Sequence, residues 1–250
     1  MHQVYALHVG SKRTTRSQFL YREPSDGPLV ISFYLWVVLG GPEPIVYDVA
    51  FDAEHASARG LYEFNDRAAM LKALGIDPDA VKTVVMSHLH WDHWSGHGLF
   101  PNATFLVQRS EAAFWTGRAT RHALIMESAD RKALQALLAL DEAGRIRMLD
   151  GGKDLWPGLR LVVVGGHTPG LQVLAVDTAR GLVVLASDTL HFYENFERRR
   201  PVQATLDMPQ ALEAFDLVAE LAGGSLIVAG HDPADCEKFD QVAPGVFKIA

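Results

Sequence analysis

The chain has 250 residues, 48% hydrophobic and 21% charged, a composition that excludes extended disorder, a collagen-like repeat and a coiled coil as the main architecture. Its formal charge is −7, which weighs against a generic nucleic-acid binder, because such proteins usually carry a basic surface. A single cysteine, Cys236, cannot form an internal disulfide, so no oxidising compartment is implied.

The chain starts Met-His-Gln-Val, with no basic stretch leading into an apolar one, so no secretory signal is expected. The longest apolar run, from Leu29 to Gly41, falls short of the roughly 20 residues a membrane helix needs and reads as a long strand. A cytoplasmic protein without membrane association is the expectation. Short runs rich in Val, Ile and Leu, bounded by Gly, Pro or Asp, predict strands over 29–39, 45–49, 82–87, 104–108, 160–164, 171–177, 182–187 and 225–229. Several are apolar on both faces, as in a sheet covered on both sides. Helices are predicted over 66–74, stopped by Gly75; over 129–143, carrying Leu134, Leu137 and Leu138; and over 209–222, with Leu212, Phe215 and Ala219 on one face and Gly223-Gly224 at its end. A hairpin is expected around Ala179-Arg180-Gly181. The chain therefore belongs to the α/β (α+β) class, with sheets sandwiched by helices. Residues 109–150 are the expected place for a helical cap on an otherwise single domain spanning 1–250.

Four of these strands run into a metal-ligand residue type. They are followed by His88, by Gly165-Gly166-His167, by Ser187-Asp188 and by Gly230-His231. Ligands collect at the carboxyl ends of strands in open sheets. The first site is dense, reading His88-Leu89-His90-Trp91-Asp92-His93. Imidazole nitrogen and carboxylate oxygen suit zinc, and also iron, manganese or cobalt. An isolated histidine after a strand is ordinarily a polar loop residue. Three imidazoles and a carboxylate within six positions are not, because desolvation and mutual repulsion make that cluster costly unless a ligand compensates. One metal cannot easily take all of these groups; two can, if His167, Asp188 and His231 complete the set.

The run from His88 to His93 resembles the H-x-H-x-D-H signature of the metallo-β-lactamase superfamily. Gly166-His167-Thr168-Pro169-Gly170, Ser187-Asp188 and Gly230-His231 resemble its later motifs, in the same order, with steps of 74, 21 and 43 residues from His93 to His167, Asp188 and His231. Within the superfamily the chain is most similar to the N-acyl homoserine lactonase group, through Tyr47-Asp48 at a strand end, Gly98-Leu99-Phe100-Pro101 and Ser110-Glu111. It departs from that group at three places. His191 stands where those lactonases have a tyrosine, with Tyr193 two residues on; Leu171 replaces a final histidine of the second motif; and Asp48-Val49-Ala50 replaces Asp-Thr-Gly.

The resemblance implies an αββα sandwich of two mixed sheets flanked by helices, with two divalent metal ions at one edge, zinc first and manganese, cobalt or iron as alternatives. One ion would be held by His88, His90 and His167, the other by Asp92, His93 and His231, with Asp188 bridging. It implies attack of a bridging hydroxide on a small lactone, an N-acyl homoserine lactone among the candidates. His191 or Tyr193 would assist the oxyanion, and Asp92 would pass a proton to the leaving alkoxide. Another ester, thioester, amide or lactam is the alternative substrate, with a nuclease or a noncatalytic metal-binding module behind it. The expected partner is a small molecule, not nucleic acid, and the expected state a monomer or homodimer. Arg198-Arg199-Arg200 could bind a substrate anion, although a solvated face is the more ordinary role for such a run. His2, His8, His55 and His122 lie outside any motif and are expected at the surface, and Cys236 is read as packing.

Overall fold

The computed structural model describes residues 1–250. Its strands, in chain order, are β1 (Gln3–Thr15), β2 (Pro28–Leu39), β3 (Ile45–Tyr47), β4 (Glu63–Phe64), β5 (Thr83–Val85), β6 (Thr104–Gln108), β7 (Ile146–Leu149), β8 (Lys153–Trp156), β9 (Leu159–Val163), β10 (Gln172–Thr178), β11 (Gly181–Leu185), β12 (Leu226–Val228), β13 (Asp240–Ala243) and β14 (Val246–Lys248). One sheet runs β13-β14-β1-β2-β3-β5-β6-β7, with β4 added beside β1; the other runs β12-β11-β10-β9-β8. Both are mixed. β3, β5, β6 and β7 are parallel neighbours, as are β11 and β12, while the remaining pairs are antiparallel. Parallel neighbours end at the same edge of a sheet, and this delivers the residues after β3, β5, β11 and β12 to shared ground.

The continuous apolar run of β2 follows from its place in the stack. Side chains alternate across a strand. Ile31, Phe33, Leu35 and Val37 join the core under the helices of the larger sheet, whereas Tyr34, Trp36 and Val38 join the core between the two sheets. A third apolar layer lies between the smaller sheet and the helix Met208–Ala222. The layers are thus helix, sheet, sheet, helix, the sandwich expected from the motifs.

The predicted strands are all present, some with shorter ends. The strand predicted over 45–49 stops at Tyr47 because Asp48 and Ala50 turn into the left-handed region, with φ of 61° and 52°. The hairpin between β10 and β11 pairs Thr178 with Gly181, as its turn residues suggested. Two helix faces differ from expectation. In Arg131–Glu142, Leu134 and Leu137 are buried but Leu138 is 51% exposed. In Met208–Ala222 the buried face is Ala211, Ala214, Phe215, Val218 and Ala222, so Leu212 and Ala219 point outward. Small residues at these positions let the helix sit close on β11. His2 and His8 are also buried, against the surface placement expected of them. They belong to β1 and its approach, a strand hidden in the sequence by its polar second half. His8 Nε2 lies 2.9 Å from Ser11 Oγ, which satisfies the ring inside the sheet. No helix is long and apolar enough to cross a membrane.

Candidate metal centre

The loop after β5 carries the dense cluster. Its path is held from three sides. Arg67, buried beneath it, donates to the carbonyls of Val49 and Gly96. Burial pushes its guanidinium down to about 10, so it stays charged near neutral pH and costs free energy that these two bonds offset. Glu111, also buried, accepts from the Leu89 N–H on one side and the Gly170 N–H on the other, and from Trp115 Nε1. One carboxylate thereby ties the first motif to the second. At Gly166 a Cβ would lie 2.5 Å from the Ala211 backbone and φ is +86°, so only glycine lets the second motif cross this helix so closely.

The seven predicted ligands converge. His88, His90, His167 and Asp188 place one donor atom each within 4.8 Å of one another, as do Asp92, His93 and His231. Asp188 stands between the two groups. Its Oδ2 is 3.6 Å from His88 Nε2 and 3.2 Å from His167 Nε2, while Oδ1 is 3.2 Å from His93 Nε2 and 3.0 Å from His231 Nε2. Asp92 Oδ2 completes the second group at 3.8 Å from His93 Nε2 and 3.6 Å from His231 Nε2.

Three imidazoles are aimed by hydrogen bonds on their far nitrogens. His93 Nδ1 lies 2.8 Å from Asp48 Oδ2, His231 Nδ1 2.8 Å from the Ser32 carbonyl, and His88 Nδ1 2.9 Å from Ser87 Oγ. Such partners fix which ring nitrogen faces the site. Asp48 does more, accepting from both the N–H and the Oγ–H of Ser87 at 2.7 Å. The inward atoms, His88 Nε2, His93 Nε2, His231 Nε2 and Asp188 Oδ1, are buried and lack a well-formed hydrogen bond. Buried polar atoms are rarely left so. Imidazole nitrogens and a split carboxylate are the donors that a pair of divalent cations satisfies, so these residues fit the group.

The electrostatics agree. Burial pushes His88 and His90 far below the ordinary imidazole range, keeping them in the neutral form a ligand needs. Burial also acts on His93 and His231, but Asp188 and its neighbouring carboxylates outweigh it and hold both above the ordinary value. For Asp188, burial alone would raise the carboxyl; the surrounding imidazoles, His93 first, hold it well below the usual range. These carboxylates draw positive charge into the pocket.

A family model described as the metallo-beta-lactamase superfamily matches residues 27–231. The chain belongs to that superfamily. It is a metal-dependent hydrolase. This superfamily member is 27% identical over 217 residues to an N-acyl homoserine lactonase of Bacillus cereus, covering 84% of this chain and 78% of that protein. It is 35% identical over 188 residues to an N-acyl homoserine lactonase of Azorhizobium caulinodans, covering 72% and 68%. It also superimposes on a crystal structure of a quorum-quenching N-acyl homoserine lactone lactonase with a TM-score of 0.81 at 25% identity, over 99% of this chain and 98% of that one.

The two candidates for the oxyanion part company. In this hydrolase His191 is buried against the ligands, with Nε2 2.9 Å from Asp188 Oδ2 and its ring 4.9 Å from that of His231. Tyr193 turns the other way. Its hydroxyl donates to Asp235, and burial first, then Asp235, pushes the phenol far up. Only Phe192 separates the two in sequence, and Tyr193 opens the short helix Tyr193–Glu197, which carries the phenol away from the site. The Tyr193 hydroxyl is thus engaged by Asp235, outside the histidine cluster, whereas His191 lies within it. Arg198, Arg199 and Arg200 are consumed by ion pairs with Glu23, Glu194 and Asp216, so the solvated reading of that run holds. Cys236 sits 3.3 Å from the Tyr34 hydroxyl, outside the ligand groups.

Two adjoining cavities lie at the centre. One, of about 200 Å³, is walled by His90, Asp92, His167 and Asp188 of the cluster, with His191, Trp91, Phe19 and Phe33 beside them. The other, of about 370 Å³, is lined by Trp115, Leu124, Ile125 and Leu206, and shares His90, Glu127, Ser128 and Ala204 with the first. The larger groove of about 600 Å³ at 154–160, on the smaller sheet, touches none of the ligands, so chemistry and size point to different places and the chemistry decides. Within the region expected as a cap, 124–128 borders the cavities, whereas Leu134 and Leu137 pack under the larger sheet. Sequence reasoning passed over Ser32, Asp48, Ser87 and Glu111 as site residues. Asp48 and Ser87 stand at the ends of apolar strands and Glu111 in a motif shared with the lactonases, but nothing local gave them a role; Ser32 had no signal at all.

Proposed function

We propose that this hydrolase opens a small lactone at the centre built from His88, His90, Asp92, His93, His167, Asp188 and His231. The observation that carries the reading is the division of Asp188, with one oxygen toward each group of histidines. The lactonases it resembles act on N-acyl homoserine lactones, which makes that class the first probe. Two divalent cations, zinc first by donor chemistry, would polarise the carbonyl and supply a nucleophilic water at neutral pH. His88, His90 and His167 would hold one, Asp92, His93 and His231 the other.

The remaining steps belong to the chain. Phe19, Phe33 and Trp91 line the smaller cavity and exclude bulk water from the ring. His191 reaches the same cavity. Burial, opposed by Asp188, pushes its imidazole down to about 4, so at neutral pH it is uncharged and carries a single N–H, which would serve the oxyanion once bound cations draw Asp188 away from Nε2. Asp92 also lines the cavity and is the group placed to pass a proton to the leaving alkoxide. The adjoining cavity with Trp115, Leu124, Ile125 and Leu206 suits an apolar substituent on the ring. A small-molecule partner, not nucleic acid, agrees with the charge of −7, and the single cysteine agrees with a cytoplasmic setting.

The test is proton release from a panel of lactones, read beside metal content. Turnover should vanish with a chelator and return with zinc, manganese or cobalt. Full activity in metal-free protein would sink the reading. His191→Ala should lower kcat by about a hundredfold, the cost of one oxyanion donor, with metal content retained. Tyr193→Phe should leave kcat near the parent value. The reverse pattern would return the role to Tyr193.

A further inference from the structure

The smaller cavity is lined by two cationic side chains that take no part in opening the lactone. Lys12, on β1 opposite Ile31 of β2, and Arg59 both line it, beside Phe33, Trp91 and the metal ligands. Both are partly buried, and neither forms an ion pair. Arg59 is held in place, with its guanidinium 4.6 Å from the centre of the Trp91 ring and one N–H donated to the Glu127 carbonyl. Its other N–H groups make no hydrogen bond to the protein. The carboxylates in the same wall are Asp92 and Asp188, which belong to the candidate metal-ligand groups, and Glu127, which is exposed and forms an ion pair with neither Lys12 nor Arg59. Partly buried cations without a counterion carry a desolvation cost that an incoming anion relieves. The chain is acidic overall, so two cations without a protein counterion stand out against its general field.

We propose that Lys12 and Arg59 form an anion subsite, and that the preferred substrate is a lactone carrying a carboxylate on or near its ring. The proposal rests on the lactonase reading and narrows its substrate. Water oxygen bonds to the carbonyl carbon, the ring C–O bond breaks and the alkoxide takes a proton. The new carboxylic acid then ionises, releasing one proton and leaving a dicarboxylate.

The experiment compares γ-valerolactone with the same ring bearing a carboxylate in place of its methyl group, on metal-loaded protein. The carboxylated ring should have a kcat/KM at least about tenfold higher, the scale of one charge-assisted hydrogen bond. The preference should lie mainly in KM and shrink as salt is raised from low to 0.5 M, about where screening becomes short-ranged. It should fall toward unity in Lys12→Gln and Arg59→Gln and survive in Lys12→Arg, whose retained preference rules out misfolding as the cause. Turnover of both rings without preference, or with a preference that the glutamine variants keep, overturns the subsite and leaves the lactonase reading standing. Metal-loaded protein inert on both rings and on N-acyl homoserine lactones overturns the two together.

Discussion

Asp188→Ala should cost about a thousandfold or more in kcat/KM and leave the protein with fewer than two metal equivalents. The physical reason is the placement of its two oxygens, 3.2 Å or less from His167 and His191 on one side and from His93 and His231 on the other. No other carboxylate in the cluster faces both groups. Removing it takes one ligand from each metal position and the negative charge that draws cations into the pocket, and several kcal/mol of transition-state stabilisation correspond to three or more powers of ten in rate. Asp188→Asn separates charge from shape. It keeps the volume and one carbonyl oxygen, so it should retain the fold and one metal while losing most activity. Metal content by mass spectrometry and the lactone assay check both variants. Two equivalents of metal and a parental rate in Asp188→Ala would mean that the centre is not built on this residue.

Asp48→Ala should lower metal affinity by about 10–100-fold although Asp48 belongs to neither ligand group. Its carboxylate is fully buried and accepts from Ser87 N, Ser87 Oγ and His93 Nδ1. Truncation leaves these donors without that partner and frees the His93 ring to rotate, at a stability cost of about 3–5 kcal/mol. Asp48 also sits at φ 61°, where alanine is strained and asparagine is tolerated. Asp48→Asn should therefore fold better than Asp48→Ala yet still bind metal weakly, since an amide cannot replace the second carboxylate oxygen toward His93. Chelator competition and urea unfolding give the two numbers separately. Unchanged affinity in both variants would show that the His93 ring is held by its packing alone.

The contrast between these residues marks how far the sequence could be read. His88, His90, Asp92 and His93 are local, and their spacing after an apolar strand is itself the signal. Asp48 and Ser32 work through rings 45 and 199 positions away, so their roles exist only once β2, β3 and β5 are paired and the chain has returned to His231. β1 is a similar case. It pairs with β14 at the far end of the chain, and its second half, Gly10-Ser11-Lys12-Arg13-Thr14, lacks the apolar alternation that exposes the other strands. The same strand places Lys12 in the cavity, so the subsite was hidden with it.

The sequence by itself determined the α+β class, through its strand-forming runs, and exposed the dense cluster from His88 to His93, whose members are neighbours in the chain; the sandwich and the seven candidate ligands were legible through the resemblance of its motifs to a known family. Tertiary structure alone decided which Asp188 oxygen faces which histidines, that His191 points into the cavity while Tyr193 points to Asp235, and which distant groups hold the imidazoles in place. These are matters of side-chain direction and of contacts between segments far apart in the chain, and strand pairing and helix packing set both.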